Sequence, residues 1–293
     1  MALSGLDIYK LLPKTNCREC GFPACLAFAM QLARKAERID KCPYLSKESK
    51  EVFEAQALPP IKLITLGEGE DKLEIGNESV IFRHEEKFHH PCGIGIIIQD
   101  SLSKEEIEQE IAKINSLRFE RVGQKIQVNL IAVEAKAGAG RFIEAVKTVS
   151  QNTKIALALM NEDPEALKAA LSILKGRRPL IYSANENNLK MMAGLAKDYG
   201  AVLAVSVKDL DSVVSLTTEL NNLGCLDLVL EIKGKSITDR IWDLTQIRRL
   251  ALKKNNRALG YPVLTVIEES DSFEEAQEAA TYISKYAGNA KYS

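Results

Sequence analysis

From Gly93 onward, short apolar runs alternate with longer stretches whose apolar residues recur every three or four positions, the pattern of repeated strand–helix units on a parallel sheet. The predicted strands are 94–100, 128–135, 155–161, 179–184, 201–207, 226–232 and 262–268. Amphipathic segments follow them at 103–117, 140–151, 163–176, 185–200, 207–224, 237–254 and 272–288. Helix starts are marked by Ser103 with Glu106, by Asp163–Pro164 and by Ser272 with Glu275, and helix ends by Gly176, Gly200 and Gly224. No long interruption signals a change of winding direction, so a TIM-like (β/α)8 barrel fits better than an open sheet. The chain stops at AGNAKYS, where an eighth apolar run would begin, so the barrel is expected to lack its last strand.

The first fifty residues follow a different pattern. An amphipathic start (Leu3, Leu6, Ile8, Leu11, Leu12) leads into a cysteine-rich loop and then a helix over 25–39. Leu26, Ala29, Met30, Ala33 and Ala36 recur there at helical spacing and predict the inward face. Pro59–Pro60 ends the block as a stiff linker, giving an α/β protein with a cluster domain and linker at 1–58 and a barrel domain at 59–293. Segments 62–67 and 79–84 are expected to pair as short antiparallel strands.

Charge adds little to this picture. Lys+Arg at 39 against Asp+Glu at 40 gives no reason to expect nucleic acid or an anionic membrane as partner. The amino terminus lacks the basic start and unbroken apolar core of a secretory signal, and no apolar run nears the roughly 20 residues needed to cross a bilayer. A cytoplasmic protein is therefore expected. In a reducing compartment the six cysteines point to metal rather than disulfides.

Four of them, Cys17, Cys20, Cys25 and Cys42, have the spacing C-x2-C-x4-C-x16-C, with Gly21 and Pro23 shaping the loop. Three thiolates from one loop can cover a face of a [4Fe-4S] cubane, and the fourth returns after the helix to close the site. Structural zinc also takes four thiolates, but it more often uses paired two-residue knuckles, which the four-residue gap breaks. A cluster with four cysteine ligands has no open iron for substrate, which leaves electron transfer or a structural role.

Other signals are weaker. His84, His89 and His90 lie together with Cys92 nearby, yet no two of these four stand at the helical i, i+4 spacing and the segment reads as a charged connection. Cys92 and Cys225 read as small, partly or fully buried thiols. The loop AKAGAGRF (135–142) matches neither dinucleotide nor P-loop fingerprints. The basic run 247–257 reads as a wet helix face or a docking surface. Asp100, Glu134, Asn161 and Glu268 end strands, but they could as well be capping residues, and catalysis is assigned to none of them.

Together, GLDIYKLLPKTNCRECGFPACLAFAMQLA with DKCPYLS, PPIKLITLGEG, ESVIFRHEEKF, FERVGQ (119–124) and DLTQIRRLALKKNNRALGYPVL (243–264) resemble the large (gamma) subunit of the corrinoid iron–sulfur proteins of the acetyl-CoA decarbonylase/synthase pathway. The resemblance implies a heterodimer with a small subunit, in which cobalamin carries a methyl group from methyltetrahydrofolate or a related pterin, through a methyltransferase, to acetyl-CoA synthase/CO dehydrogenase. It implies that Cys17, Cys20, Cys25 and Cys42 hold the cluster, which returns Co(II) cobalamin to Co(I). Family members continue into a corrinoid-binding domain that this sequence lacks, so the corrinoid is not expected to be held by this chain alone. That makes the chain a subunit of a methyl-transferring complex rather than a self-contained enzyme. Two alternatives stay open: a pterin-dependent barrel methyltransferase with a structural cluster, marked by an inward Asp and Asn at the strand ends, and a ferredoxin-like module of another reductase.

Overall fold

The computed structural model describes residues 4–34, 36–50, 53, 59–82, 85, 90–233, 236–267, 271–287 and 289–292, the last four by their backbone. The chain forms two compact units, residues 1–60 and 61–293.

In the first unit, α1 (Gly5–Leu11) is capped by Ser4, whose Oγ accepts the Asp7 N–H. It packs beside α2 (Cys25–Ala33), and a single 3-10 turn, Ile39–Lys41, precedes the last cysteine. Ile8, Leu12, Phe28, Ala29, Leu32 and Ile39 form the core with Cys25 and Cys42. Two expectations are corrected here. The buried stripe of α2 is Cys25–Phe28–Ala29–Leu32, and Leu26 and Met30 are 42% and 46% exposed. The helix also stops at Ala33, because the stripe would continue onto Lys35 and Ala36, which offer no large apolar anchor.

The second unit is the expected barrel. Its parallel strands are β3 (Gly93–Gln99), β6 (Leu130–Glu134), β7 (Ala156–Met160), β8 (Leu180–Ala184), β9 (Val202–Val207), β10 (Leu228–Ile232), β11 (Leu264–Val266) and β12 (Asn289–Tyr292). They run in the order β10-β9-β8-β7-β6-β3-β12-β11. A parallel bridge from Leu230 to Val263, with Leu230 N–H donating to Pro262 O at 2.9 Å, joins β10 to the start of β11 and closes the ring. The missing last strand is thus corrected. Asn289–Tyr292 pairs with both β3 and β11, so neither of these strands is left as an open edge. Four residues between two parallel neighbours are held by backbone hydrogen bonds, and NAKY carries no apolar run for periodicity to detect.

Helices α3 (Lys104–Ser116), α4 (Ala139–Asn152), α5 (Pro164–Ile173), α6 (Leu189–Tyr199), α7 (Leu210–Asn222), α8 (Ile237–Lys254) and α9 (Ser272–Ser284) surround the ring. Ser103 and Glu106 make both arms of the capping box, and Asp163 caps Pro164 as read. The last helix is capped by Asp271 rather than Ser272, the Asp271 carboxylate accepting from Phe273 and Glu274 N–H.

Two hairpins complete the unit. β1 (Ile64–Leu66) pairs antiparallel with β2 (Leu73–Ile75), not with 79–84. Their four apolar side chains fill the barrel axis against Leu130, Ala132, Ala156, Ala158, Val202, Ala204 and Leu264. This plug is tied at the amino-terminal ends of the strands. Arg178 Nε donates to Thr65 O at 2.7 Å, and Asp227 pairs with Arg178 at 2.6 Å and Lys62 at 2.9 Å. Segment 79–82 instead lies against α8, where Ile81 packs on Ala251 and Leu252, and residues 83–84 lie outside the described set. Arg248, read as part of a wet face, is 4% exposed. It pairs with Glu78 at 2.7 Å and donates to the carbonyls of Val80 and Ile81. The other hairpin, β4 (Arg118–Arg121) with β5 (Gln124–Gln127), interrupts the first crossover and was not anticipated. Val122 and Gly123, at φ 52 and 71, supply its left-handed turn.

Candidate metal centre

The four spaced cysteines lie in the first unit around one loop and one helix end. Residues 12–24 carry no regular structure, and Lys14, Asn16, Arg18 and Gly21 all have positive φ, at 59, 50, 67 and 86. Only the last belongs to the residue type that adopts this conformation freely. Gly21 N–H donates to Arg18 O at 2.9 Å and tightens the segment carrying Cys17 and Cys20. Cys25 is the first residue of α2, and its N–H donates to Asn16 Oδ1 at 2.8 Å. Cys42 follows the 3-10 turn with its N–H bonded to Ile39 O. Across the loop, Tyr44 O–H donates to Glu19 Oε1 at 2.8 Å, tying the segment after Cys42 to the residue before Cys20.

Cys25 and Cys42 are buried, Cys17 and Cys20 are half-buried, and all six cysteines of the chain are free thiols. Burial pushes the Cys42 thiol up, the backbone N–H of Tyr44 opposes this, and Cys20, Cys25 and Cys17 each add charge repulsion. Cys42 is thus within electrostatic reach of each of the other three thiols. Among the described residues, however, no group of three or more Cys, His, Asp or Glu is placed to hold a metal ion. A single zinc, with Zn–S near 2.3 Å, would draw four sulfurs to about 3.8 Å of each other. A [4Fe-4S] cubane likewise takes four thiolates and no other donor, so this donor set fits either group by its chemistry.

The other flagged residues do not form a second metal site among the described residues. His90 and Cys92 line a cavity of about 50 Å³ with Glu78, Arg248 and Tyr261, and His84 and His89 lie outside the described set. Cys225 is 4% exposed, and its thiol is pushed up to about 11, mainly by burial and then by Asp227.

At the carboxyl ends of the strands, the Asp100 and Asn161 side chains accept backbone N–H groups of loop residues. Asp100 is fully buried, and its Oδ1 accepts from Lys136 and Ala137 N–H at 2.6 and 2.7 Å, holding the 135–142 loop. Asn161 Oδ1 accepts from Asp163 N–H. Glu268 lies outside the described residues. Glu134 does more than end its strand. Leu130 and Ala132 belong to the axial core, so strand alternation turns Glu134 to the axis as well, where it meets Gln99 at 3.2 Å and Lys136 at 3.0 Å. Glu231, two residues after axial Val229, also faces inward, is 3% exposed and accepts from Ser206 Oγ at 2.7 Å. Lys233 Nζ stands 4.7 Å from the Tyr182 ring centroid. Sequence reasoning missed this inward polar layer. Its signal was a polar residue at the last inward position of a strand with period two.

A cysteine-loop unit followed by a hairpin-plugged (β/α)8 barrel defines the class: an iron–sulfur domain joined to a TIM-type barrel. Among solved structures, the barrel is similar to dihydropteroate synthase from Thermus thermophilus, with TM-score 0.53 and 14% identity over 78% of this chain and 92% of that one. It is also similar to 7,8-dihydropteroate synthase from Vibrio fischeri, with TM-score 0.50 and 11% identity over 69% of this chain and 87% of that one. At these identities the likeness is one of fold alone.

Residues 12–44 match a family model described as an Fe-S cluster, and residues 63–290 match the CO dehydrogenase/acetyl-CoA synthase delta subunit model. The corrinoid/iron-sulfur protein large subunit of Moorella thermoacetica is 41% identical over 98% of this chain and 65% of its own. The acetyl-CoA decarbonylase/synthase complex subunit gamma of Methanothermobacter thermautotrophicus is 35% identical over 98% of this chain and 66% of its own. The chain belongs to the family of the second model, the CO dehydrogenase/acetyl-CoA synthase delta subunit family, and it resembles the corrinoid/iron–sulfur protein large subunits and the gamma subunits of acetyl-CoA decarbonylase/synthase complexes. It spans just under two thirds of the length of these two relatives. Among the described residues, no helix is long and apolar enough to cross a membrane.

Proposed function

We propose that this chain is the iron–sulfur electron-transfer and scaffold subunit of a methyl-carrying corrinoid protein, with Cys17, Cys20, Cys25 and Cys42 as the ligands of a [4Fe-4S] cluster. The observation that carries the reading is that all four of these cysteines fall within the segment, residues 12–44, that matches the Fe-S family model. When bound, the cluster supplies one low-potential electron that takes a corrinoid from Co(II) to Co(I) and is itself oxidised in exchange. Cys25 and Cys42 anchor it from the buried side, while the half-buried Cys17 and Cys20 leave one face near solvent, where an electron can leave. The barrel serves as scaffold. Its axis is filled by the hairpin plug, and Asp100 and Asn161, the Asp and Asn at its strand ends, are engaged as loop caps. That arrangement favours the scaffold over a pterin-dependent methyltransferase. The partners of the assembly are a small corrinoid-protein subunit, a pterin-dependent methyltransferase and acetyl-CoA synthase/CO dehydrogenase, and the site of action is the cytoplasm.

The test is anaerobic. The chain is reduced, freed of excess dithionite and mixed with Co(II) corrinoid held on a partner protein, and the Co(II) EPR signal is followed. Loss of that signal with stoichiometric cluster oxidation, and no loss with Cys42→Ser, is the expected result. A reduced chain that leaves Co(II) untouched while a stronger chemical reductant converts it would contradict the reading.

A further inference from the structure

Asn16 stands next to one of the four cysteines in sequence and touches another in space. Its Oδ1 accepts the Cys25 backbone N–H at 2.8 Å, and Ala24, the residue before α2, provides no side-chain cap. The first N–H groups of a helix have no partner within it. Cys25 is only 6% exposed, so without Asn16 its N–H would have little water to turn to.

Hydrogen bonds to cluster sulfurs are among the factors that set the potential of an iron–sulfur centre, because they favour the more negative, reduced state. An N–H engaged elsewhere cannot do this. We propose that Asn16 is a positioning residue that withholds the Cys25 amide from the cluster and so keeps its potential low, as an electron donor to Co(II) requires. The inference rests on the cluster reading above. The backbone supports a built device. Asn16 sits at φ 50, between Lys14 at φ 59 and Arg18 at φ 67, and asparagine tolerates that conformation better than other non-glycine residues. A single bond thereby fixes the chain direction at Cys17 and the helix end at Cys25.

Two substitutions separate the hydrogen bond from the backbone. Asn16→Gly keeps the freedom for positive φ and removes the acceptor, whereas Asn16→Asp keeps an acceptor. Full-length protein is prepared anaerobically, its midpoint potential is measured by EPR-monitored redox titration, and resonance Raman spectra in H2O and D2O report amide–sulfur hydrogen bonds. Asn16→Gly is expected to raise the potential by 59 mV or more, a tenfold shift in the reduced-to-oxidised ratio for one electron, and to add a deuterium-sensitive Fe–S band. Asn16→Asp is expected to give no rise. An unchanged potential in Asn16→Gly, an equal rise in both variants, or loss of the cluster in both would overturn the proposal, the last by assigning Asn16 to assembly alone. Unsubstituted protein without iron would instead remove the cluster reading itself, which is decided before any variant is made.

Discussion

The barrel and the cysteine unit are built on different balances. The barrel has two nested apolar cores, one along its axis and one between strands and helices, and strands such as β6, β7 and β9 are buried along nearly their whole length. Among the described residues, the first unit has one small core, in which two of the eight buried residues are themselves cysteines. A core of that size rarely supplies more than about 3–5 kcal/mol, and small domains commonly add a metal to make up the difference. The cysteine loop of this unit also holds three non-glycine residues at positive φ. One unit is thus stabilised by hydrocarbon, and on the proposed reading the other depends on the cluster its thiols hold.

The most disruptive way to break the comparison is Cys42→Ser. It should abolish iron incorporation and leave residues 1–60 without exchange protection, while the barrel keeps its thermal transition. Hydrogen exchange read unit by unit checks this. Within the barrel, Arg248→Met should cost about 3–5 kcal/mol, because it removes a buried guanidinium and leaves half-buried Glu78 and two carbonyls without their partner. Denaturant unfolding should show the loss in the barrel transition alone. Leu66→Ala, which truncates a fully buried plug residue, should cost about 2–5 kcal/mol in the same transition without lowering iron content.

The smallest effect concerns the latch beneath the plug. Burial alone would raise the Asp227 carboxyl, but Lys62 and Arg178 beside it hold it below the ordinary carboxylate range. Its contribution is therefore complete above the unfolded value near 3.9 and is lost as pH falls through the lower folded value. Asp227→Asn should lower the neutral plateau of barrel stability slightly and flatten its acid limb, so that the variant and the parent converge as pH falls, as a pH series of melting temperatures would show.

Seven barrel strands were legible because buried parallel strands read as apolar runs, and their helices because one face is apolar. The eighth, Asn289–Tyr292, is defined by backbone pairing alone. The plug partner Leu73–Ile75 was hidden because three residues are too few to show a period. The face of α2 was misjudged because Leu26 and Met30 outweigh Ala29 in hydrophobicity, while Cys25 was counted as a ligand and not as core. The cysteines themselves were legible from spacing. Their support was not, since the bonds from Asn16 to Cys25 and from Tyr44 to Glu19 join residues nine and 25 positions apart.

The most direct test of the account is metal and sulfide analysis of anaerobically purified chain, with low-temperature EPR after reduction. About four irons with matching acid-labile sulfide and the spectrum of a reduced cubane are expected. Stoichiometric zinc, with neither iron nor labile sulfide, would contradict it.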